Sequence, residues 1–164
     1  MHVLIATSGV LGAEQVVEFT RRLIGSDGRV TVTTVIEVPR SFLDQLGSDD
    51  WNPTGSDTRS APSQDSVVER YVEERGRRMC EPLLNALETE GIHTESVYLE
   101  GEDPAATISG LAIKLEADVV VLGATRPIFH QSAWESVSAR VTLECARPVL
   151  VLPPPVRGEV PEED

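Results

Sequence analysis

The chain has 164 residues and a formal net charge of −13, which excludes a surface built to hold nucleic acid or anionic lipid, since both need clustered Lys and Arg. Lys114 is the only lysine and the arginines are dispersed. Hydrophobic residues make up 40% and aromatics only 4%, so one domain with an aliphatic core of Val, Leu, Ile and Ala is expected.

No apolar run approaches the ~20 residues of a membrane span, and strand-like residues from His2 leave no room for a signal peptide. A cytoplasmic protein without membrane or nucleic-acid partners is therefore expected. Cys80 and Cys145 fall on helical patterns and are expected to be free thiols.

His2-Val3-Leu4-Ile5-Ala6-Thr7 is a short apolar run that stops at Ser8-Gly9 and reads as a buried central strand. From Leu11 the period changes. Ala13, Val16, Val17, Thr20, Leu23 and Ile24 mark one face of a helix that Gly25 ends. Val30 to Ile36 is rich in β-branched residues and predicts the second strand, closed by Pro39.

Residues from about Arg40 to Asp65 are loaded with Ser, Asp, Gly and Pro and predict a long mobile loop, with one helical turn near Phe42 to Leu46. Ser66 to Gly91 carries a helical stripe of Val68, Val72, Met79, Leu83 and Leu87. Pro82 inside it is expected to kink or divide the helix near Met79, because proline removes a backbone donor.

Ile92 to Leu99 predicts a third strand, at an edge because His93, Thr94 and Glu95 are polar. In Gly101-Glu102-Asp103-Pro104, Asp103 suits an N-cap and Pro104 a first turn, and Ala105, Ile108, Leu111, Ala112 and Leu115 stripe the helix that follows.

Val119 to Leu122 predicts the fourth strand, ending at Gly123. After the loop Ala124-Thr125-Arg126-Pro127, a helix through Ser136-Val137-Ser138 to Cys145 leads to a last strand, Pro148 to Leu152. Residues 1–155 form the expected domain, and the acidic, Pro-rich tail 156–164 is expected to fray.

Alternating strands and helices imply a parallel sheet covered on both faces, and right-handed crossovers leave a doubly wound, Rossmann-like three-layer α/β sandwich of five strands. The loop after Gly123 then lies at the carboxyl end of a parallel strand, where open α/β sheets bind ligands.

Val3 to Gly9, Gly101 to Ala105, Ala117 to Gly123, Ser136-Val137-Ser138 and Arg147 to Val151, in this order and spacing, resemble the universal stress protein family of adenine-nucleotide-binding α/β domains. The resemblance implies strand order 3-2-1-4-5 and a homodimer joined through the last strand, at Val149, Leu150, Val151 and Leu152. An unprotected apolar edge also invites pairing on physical grounds. It further implies that any nucleotide site falls on Thr7, Ser8, Gly9, Val35, Gly123, Ala124, Arg126, Ser136, Val137 and Ser138.

Members that bind ATP look like Gly-x-x-Gly, then about nine residues, then Gly followed by Ser or Thr, because bare glycines let phosphate oxygens reach backbone N–H groups. Here Gly123 matches, but Arg126 stands in the second position and Glu135 in the third, before Ser136, with the gap one residue short. A carboxylate at Glu135 and a phosphate charge ~4 Å apart repel by about 4 kcal/mol at an effective dielectric of ~20. Ser8 also replaces the Asp that binding members usually carry after the first strand. Arg126 argues the other way, since a guanidinium clamps phosphate by itself.

There is no P-loop or dinucleotide fingerprint, and Ser8-Gly9-Val10 lacks the second glycine of a pyrophosphate-loop ligase. His2, His93 and His130 have no metal-ligand spacing and read as surface or strand-end residues. Ser136 and Ser138 suit helix capping better than nucleophilic catalysis. The expected function is a homodimeric, non-catalytic stress-response domain without tight ATP binding or other cofactor, acting on a further protein partner. The alternative is an ATP-binding sensor that uses Mg-ATP and hydrolyses it slowly, and a weaker third reading is an enzyme for another nucleotide-like substrate with the long loop as lid.

Overall fold

The structure, a computed structural model, describes residues 1–9, 11–47, 63–124 and 137–154. Every residue of β1 (His2–Ala6) is buried, which requires a neighbour strand on each side and helices on each face. β2 (Arg29–Ile36) pairs with it on one side and β4 (Val119–Gly123) on the other, both parallel. β3 (Thr94–Glu100) and β5 (Val149–Leu152) are the two edges, again parallel, so the sheet order is 3-2-1-4-5 as the resemblance implies.

Alternation along β1 splits the core in two. Val3 and Ile5 face α1 (Ala13–Ile24) and α3 (Gln64–Thr89), packing with Val16, Cys80, Leu83 and Leu87. Leu4 and Ala6 face α4 (Pro104–Lys114) and α5 (Val137–Glu144), packing with Ile108, Leu111, Ala112 and Val141. Both cysteines are free. Burial lifts the Cys80 thiol to about 11, so it stays an inert thiol.

Three expectations change. The first residues of the predicted mobile loop form a helix, α2 (Arg40–Gly47), rather than a single turn. The Pro39 carbonyl accepts from the N–H groups of Phe42 (2.9 Å) and Leu43 (3.2 Å), and Phe42 stacks on Tyr71 of α3 with centroids 4.9 Å apart. Gln64 Nε2 donates to the Leu46 carbonyl at 2.7 Å, tying the end of α2 to the start of α3. Gln64 and Asp65, expected in the loop, begin α3 with Ser63 as its N-cap; residues 48–62, with Trp51, and the tail 156–164 lie outside the described residues.

Second, of the kink or division expected at Pro82 the division does not occur, and α3 runs as one helix from Gln64 to Thr89. Pro82 and Arg78 are both exposed, so the lost hydrogen bond lies on the outer side of the helix while Cys80, Leu83 and Leu87 stay packed in the core. Third, His2 is a strand-end residue but only 6% exposed. Its Nε2 lies 2.8 Å from Thr31 Oγ1 and its Nδ1 3.1 Å from the Leu115 carbonyl, while its backbone N–H donates to Asp118 at 2.6 Å.

Gly76 explains how closely α3 approaches β3. A Cβ there would fall inside van der Waals contact with the Tyr98 ring. Gly76→Ala is therefore expected to destabilise the fold by about 1–3 kcal/mol through overpacking, despite the better helix propensity of Ala. A lowered urea midpoint at unchanged slope is the expected readout.

Candidate functional site

A doubly wound sheet opens a crevice where the strand order reverses, at the carboxyl ends of the strands. Here the reversal lies between β1, whose chain leaves towards β2, and β4, which pairs on its other side. A cleft of about 130 Å³ occupies that position. The ends of β1, β2 and β4 supply Ala6, Thr7, Ser8, Thr34, Val35, Leu122 and Gly123; Leu11, just before α1, and Pro104 and Ile108 of α4 with Val137 and Ser138 of α5 close it.

Six of the residues expected from the sequence thus surround one space: Thr7, Ser8, Val35, Gly123, Val137 and Ser138. Gly9 and Ala124 flank it without lining it. Gly9 has φ +89°, which only glycine adopts without strain, and its N–H donates to Thr7 Oγ1 at 2.9 Å. Arg126 and Ser136 lie outside the described residues. Leu11, Thr34, Pro104 and Ile108 line the cleft although nothing in the sequence marked them as site residues. Pro104 had a signal, the Asp103-Pro104 helix start, but it was readable only as a cap.

The wall is mostly aliphatic, and the polar groups are hydroxyls from Thr7, Ser8, Thr34 and Ser138. No cationic side chain lines it among the described residues. Several backbone donors around it are also committed. The N–H of Thr7 donates to the Thr33 carbonyl at 3.0 Å, that of Gly9 to Thr7 Oγ1, and that of Ala124 to the Leu152 carbonyl at 2.7 Å.

Arg140 of α5, beside the helix starts that close the cleft, is engaged within the protein. Its Nη1 and Nη2 donate to the two Asp103 oxygens at 2.8 and 3.0 Å, while Nε and Nη2 reach Glu144 at 3.0 and 3.1 Å. Asp103 meanwhile accepts from the Ala106 N–H at 3.2 Å as the N-cap of α4. One carboxylate therefore caps α4 and fixes α5 beside it, which sets the separation of Pro104 from Val137 and Ser138. The Arg140 hydrogen bond, followed by the capping bond, holds the Asp103 carboxyl below its ordinary value. Asp103, then Glu144, pushes the arginine further up. Both groups are partly exposed, so the pair positions helices more than it stabilises the fold.

No group of three or more His, Cys, Asp or Glu side chains is placed to hold a metal ion among the described residues, and no described helix is long and apolar enough to cross a membrane.

A doubly wound α/β domain with a cleft at the topological switch point is the architecture of nucleotide-binding-type folds. The family model described as "Universal stress protein family" matches residues 1–153, and the chain belongs to that family. Among solved structures it resembles a universal stress family protein from Burkholderia pseudomallei (19% identity, 93% of this chain and 95% of that one, TM-score 0.57). It also resembles an Arabidopsis thaliana family protein with AMP bound (15%, 95% and 93%, TM-score 0.58) and a universal stress protein in complex with cAMP (14%, 94% and 98%, TM-score 0.58). No curated protein matches the chain in sequence.

The Asp103–Arg140 pair gives a pH signature. A carboxyl depressed in the folded state adds stability above its ordinary value of 3.8 and loses it as pH falls through the lower folded value. Arg140→Gln is expected to lower the melting temperature at pH 6, and the gap from the parent protein should narrow as melts are taken below pH ~4. A gap that is constant with pH would contradict the pairing.

Proposed function

We propose that this chain is a homodimeric, non-catalytic regulatory domain of the universal stress type, cytoplasmic, whose cleft does not hold ATP tightly and whose output passes through a further protein partner. The observation that carries the reading is the commitment of anion-binding groups around the described part of the cleft. A triphosphate needs several N–H donors or cations at once. The Thr7, Gly9 and Ala124 N–H groups and the Arg140 guanidinium are already engaged within the protein. Glu135 in the loop and the net charge of −13 act in the same direction.

The second reading, an ATP-binding and slowly hydrolysing sensor, is favoured by the AMP and cAMP complexes among the fold neighbours and by Arg126 in the loop. Under it the site residues are Thr7, Ser8, Gly9, Val35, Gly123, Ala124, Arg126, Ser136, Val137 and Ser138, and Mg-ATP is the ligand.

The dimer is supported by the character of β5. Val151 is 39% exposed on an edge whose backbone groups are open on one side, and Val149 and Leu150 are half-buried beside it.

Thermal unfolding separates the two readings. A ligand at 100 times its dissociation constant stabilises by about 2.7 kcal/mol, several degrees in a domain of this size. No saturable shift with Mg-ATP is expected from the parent protein, and a saturable one abolished by Arg126→Ala would establish the sensor instead. Size exclusion checks the dimer: Val151→Asp should elute as monomer or aggregate, and an unchanged dimer peak refutes that edge.

A further inference from the structure

Gly123 ends β4 at the place where a ligand-approach glycine belongs, but the space beside it is taken. A Cβ built on Gly123 would stand 2.9 Å from Leu11 Cδ2 and 3.4 Å from its Cγ. The close neighbour of Gly123 is thus a leucine side chain of the same chain, which covers the strand end where a ligand would otherwise approach. Leu11 is itself anchored, packing against the aliphatic cluster that includes Val3, Val16 and Val121.

A phosphoryl group settling at the end of β4 must displace that side chain and expose apolar surface. The Ala124 N–H beside it offers no compensation, being bonded to the Leu152 carbonyl. A neutral ring entering beside Val35, Ile108 and Val137 meets no such penalty, and Thr7, Ser8 and Thr34 bring hydroxyls to the lining of the same cleft. The size agrees. The cleft of about 130 Å³ is smaller than the roughly 300–1,000 Å³ of a site for a whole drug-sized ligand, and close to the ~150 Å³ that admits a benzene ring.

We propose that Leu11 is the specificity-determining residue of the cleft: by filling the space over Gly123 it bars a phosphoryl group from the end of β4 and leaves the cleft to an uncharged, ring-sized group. This rests on the reading that the cleft is the ligand site of a protein that does not hold ATP tightly. Discrimination comes from the space that the Leu11 side chain fills, so shortening that side chain relaxes it.

Adenosine and AMP are the probe pair, since they differ only in the phosphate, titrated calorimetrically into the parent protein, Leu11→Ala and Leu11→Val. The parent should favour adenosine. Each variant should move the AMP-to-adenosine affinity ratio by tenfold or more towards AMP, with adenosine itself little changed. Leu11→Val retains bulk at Cβ but lacks the δ carbon that faces Gly123, and it carries the test if Leu11→Ala does not fold. An unshifted ratio in a variant with a parent-like cooperative melt overturns the assignment, as does a parent that binds AMP as well as adenosine. No binding of either probe to any of the proteins overturns it together with the cleft as a ligand site. Tight Mg-ATP binding by the parent would instead sink the preceding functional reading, while an ATP-silent parent with an unshifted ratio sinks the Leu11 assignment alone.

Discussion

The burial of β1 on both faces and both edges constrains everything else in the molecule. Five consecutive buried residues have to satisfy their backbone groups in two parallel ladders and cover their side chains with two helical layers. His2 shows how far the demand extends. The first residue of the strand is buried, and its ring is matched to Thr31 on the neighbouring strand and to the carbonyl that ends α4. Asp118 holds its N–H and returns a bond to its carbonyl, fixing the register of β4 against β1. Once the chain leaves β1 on one side and comes back on the other, a crevice at the carboxyl ends follows from topology. The cleft is therefore a consequence of the fold before it is a consequence of any function.

What the cleft can hold depends on which of its polar groups are already satisfied. Open α/β sheets bind anions with donors left over from strand ends and helix starts. In this chain the Ala124 donor extends the ladder to β5, the Gly9 donor closes a turn onto Thr7, and the start of α4 is capped by Asp103. Each internal bond removes a handle that a phosphate needs, and Arg140 is held between two carboxylates. The fold is shared with proteins that carry AMP or cAMP, at 14–15% identity, which is similarity of architecture rather than of site chemistry.

The architecture was legible in the sequence because its signals are local and mutually consistent. Val119 to Leu122 and Pro148 to Leu152 read as strands and form at Val119–Gly123 and Val149–Leu152, and Asp103-Pro104 reads as a helix start that the Ala106 bond bears out. The helix at Arg40–Gly47 was less legible because its support is tertiary: Phe42 on Tyr71, and Gln64 on the Leu46 carbonyl. That Pro82 does not divide α3 has a related reason: Cys80, Leu83 and Leu87 around it are held in the core, which sequence does not show. The site was half legible. Strand ends could be assigned from the pattern, whereas Leu11 over Gly123 and Arg140 on Asp103, 37 positions apart, are pairings only the folded chain creates.

The two edges of the sheet differ in a way that bears on assembly. Along β3, Glu95, Ser96 and Glu100 are exposed, and Thr94 is polar as well, so a second strand docking there would bury charge without compensation. Along β5 the side chains are Val149, Leu150, Val151 and Leu152, with no charge to desolvate. An edge with open backbone groups and aliphatic side chains gains from a second copy what the β3 edge would lose. Because Leu152 also accepts the Ala124 N–H, the strand that offers this edge is the same one that withdraws a donor from the cleft. The open β5 edge and the engaged Ala124 donor thus meet in one strand, and a change in how β5 sits against β4 would reach both.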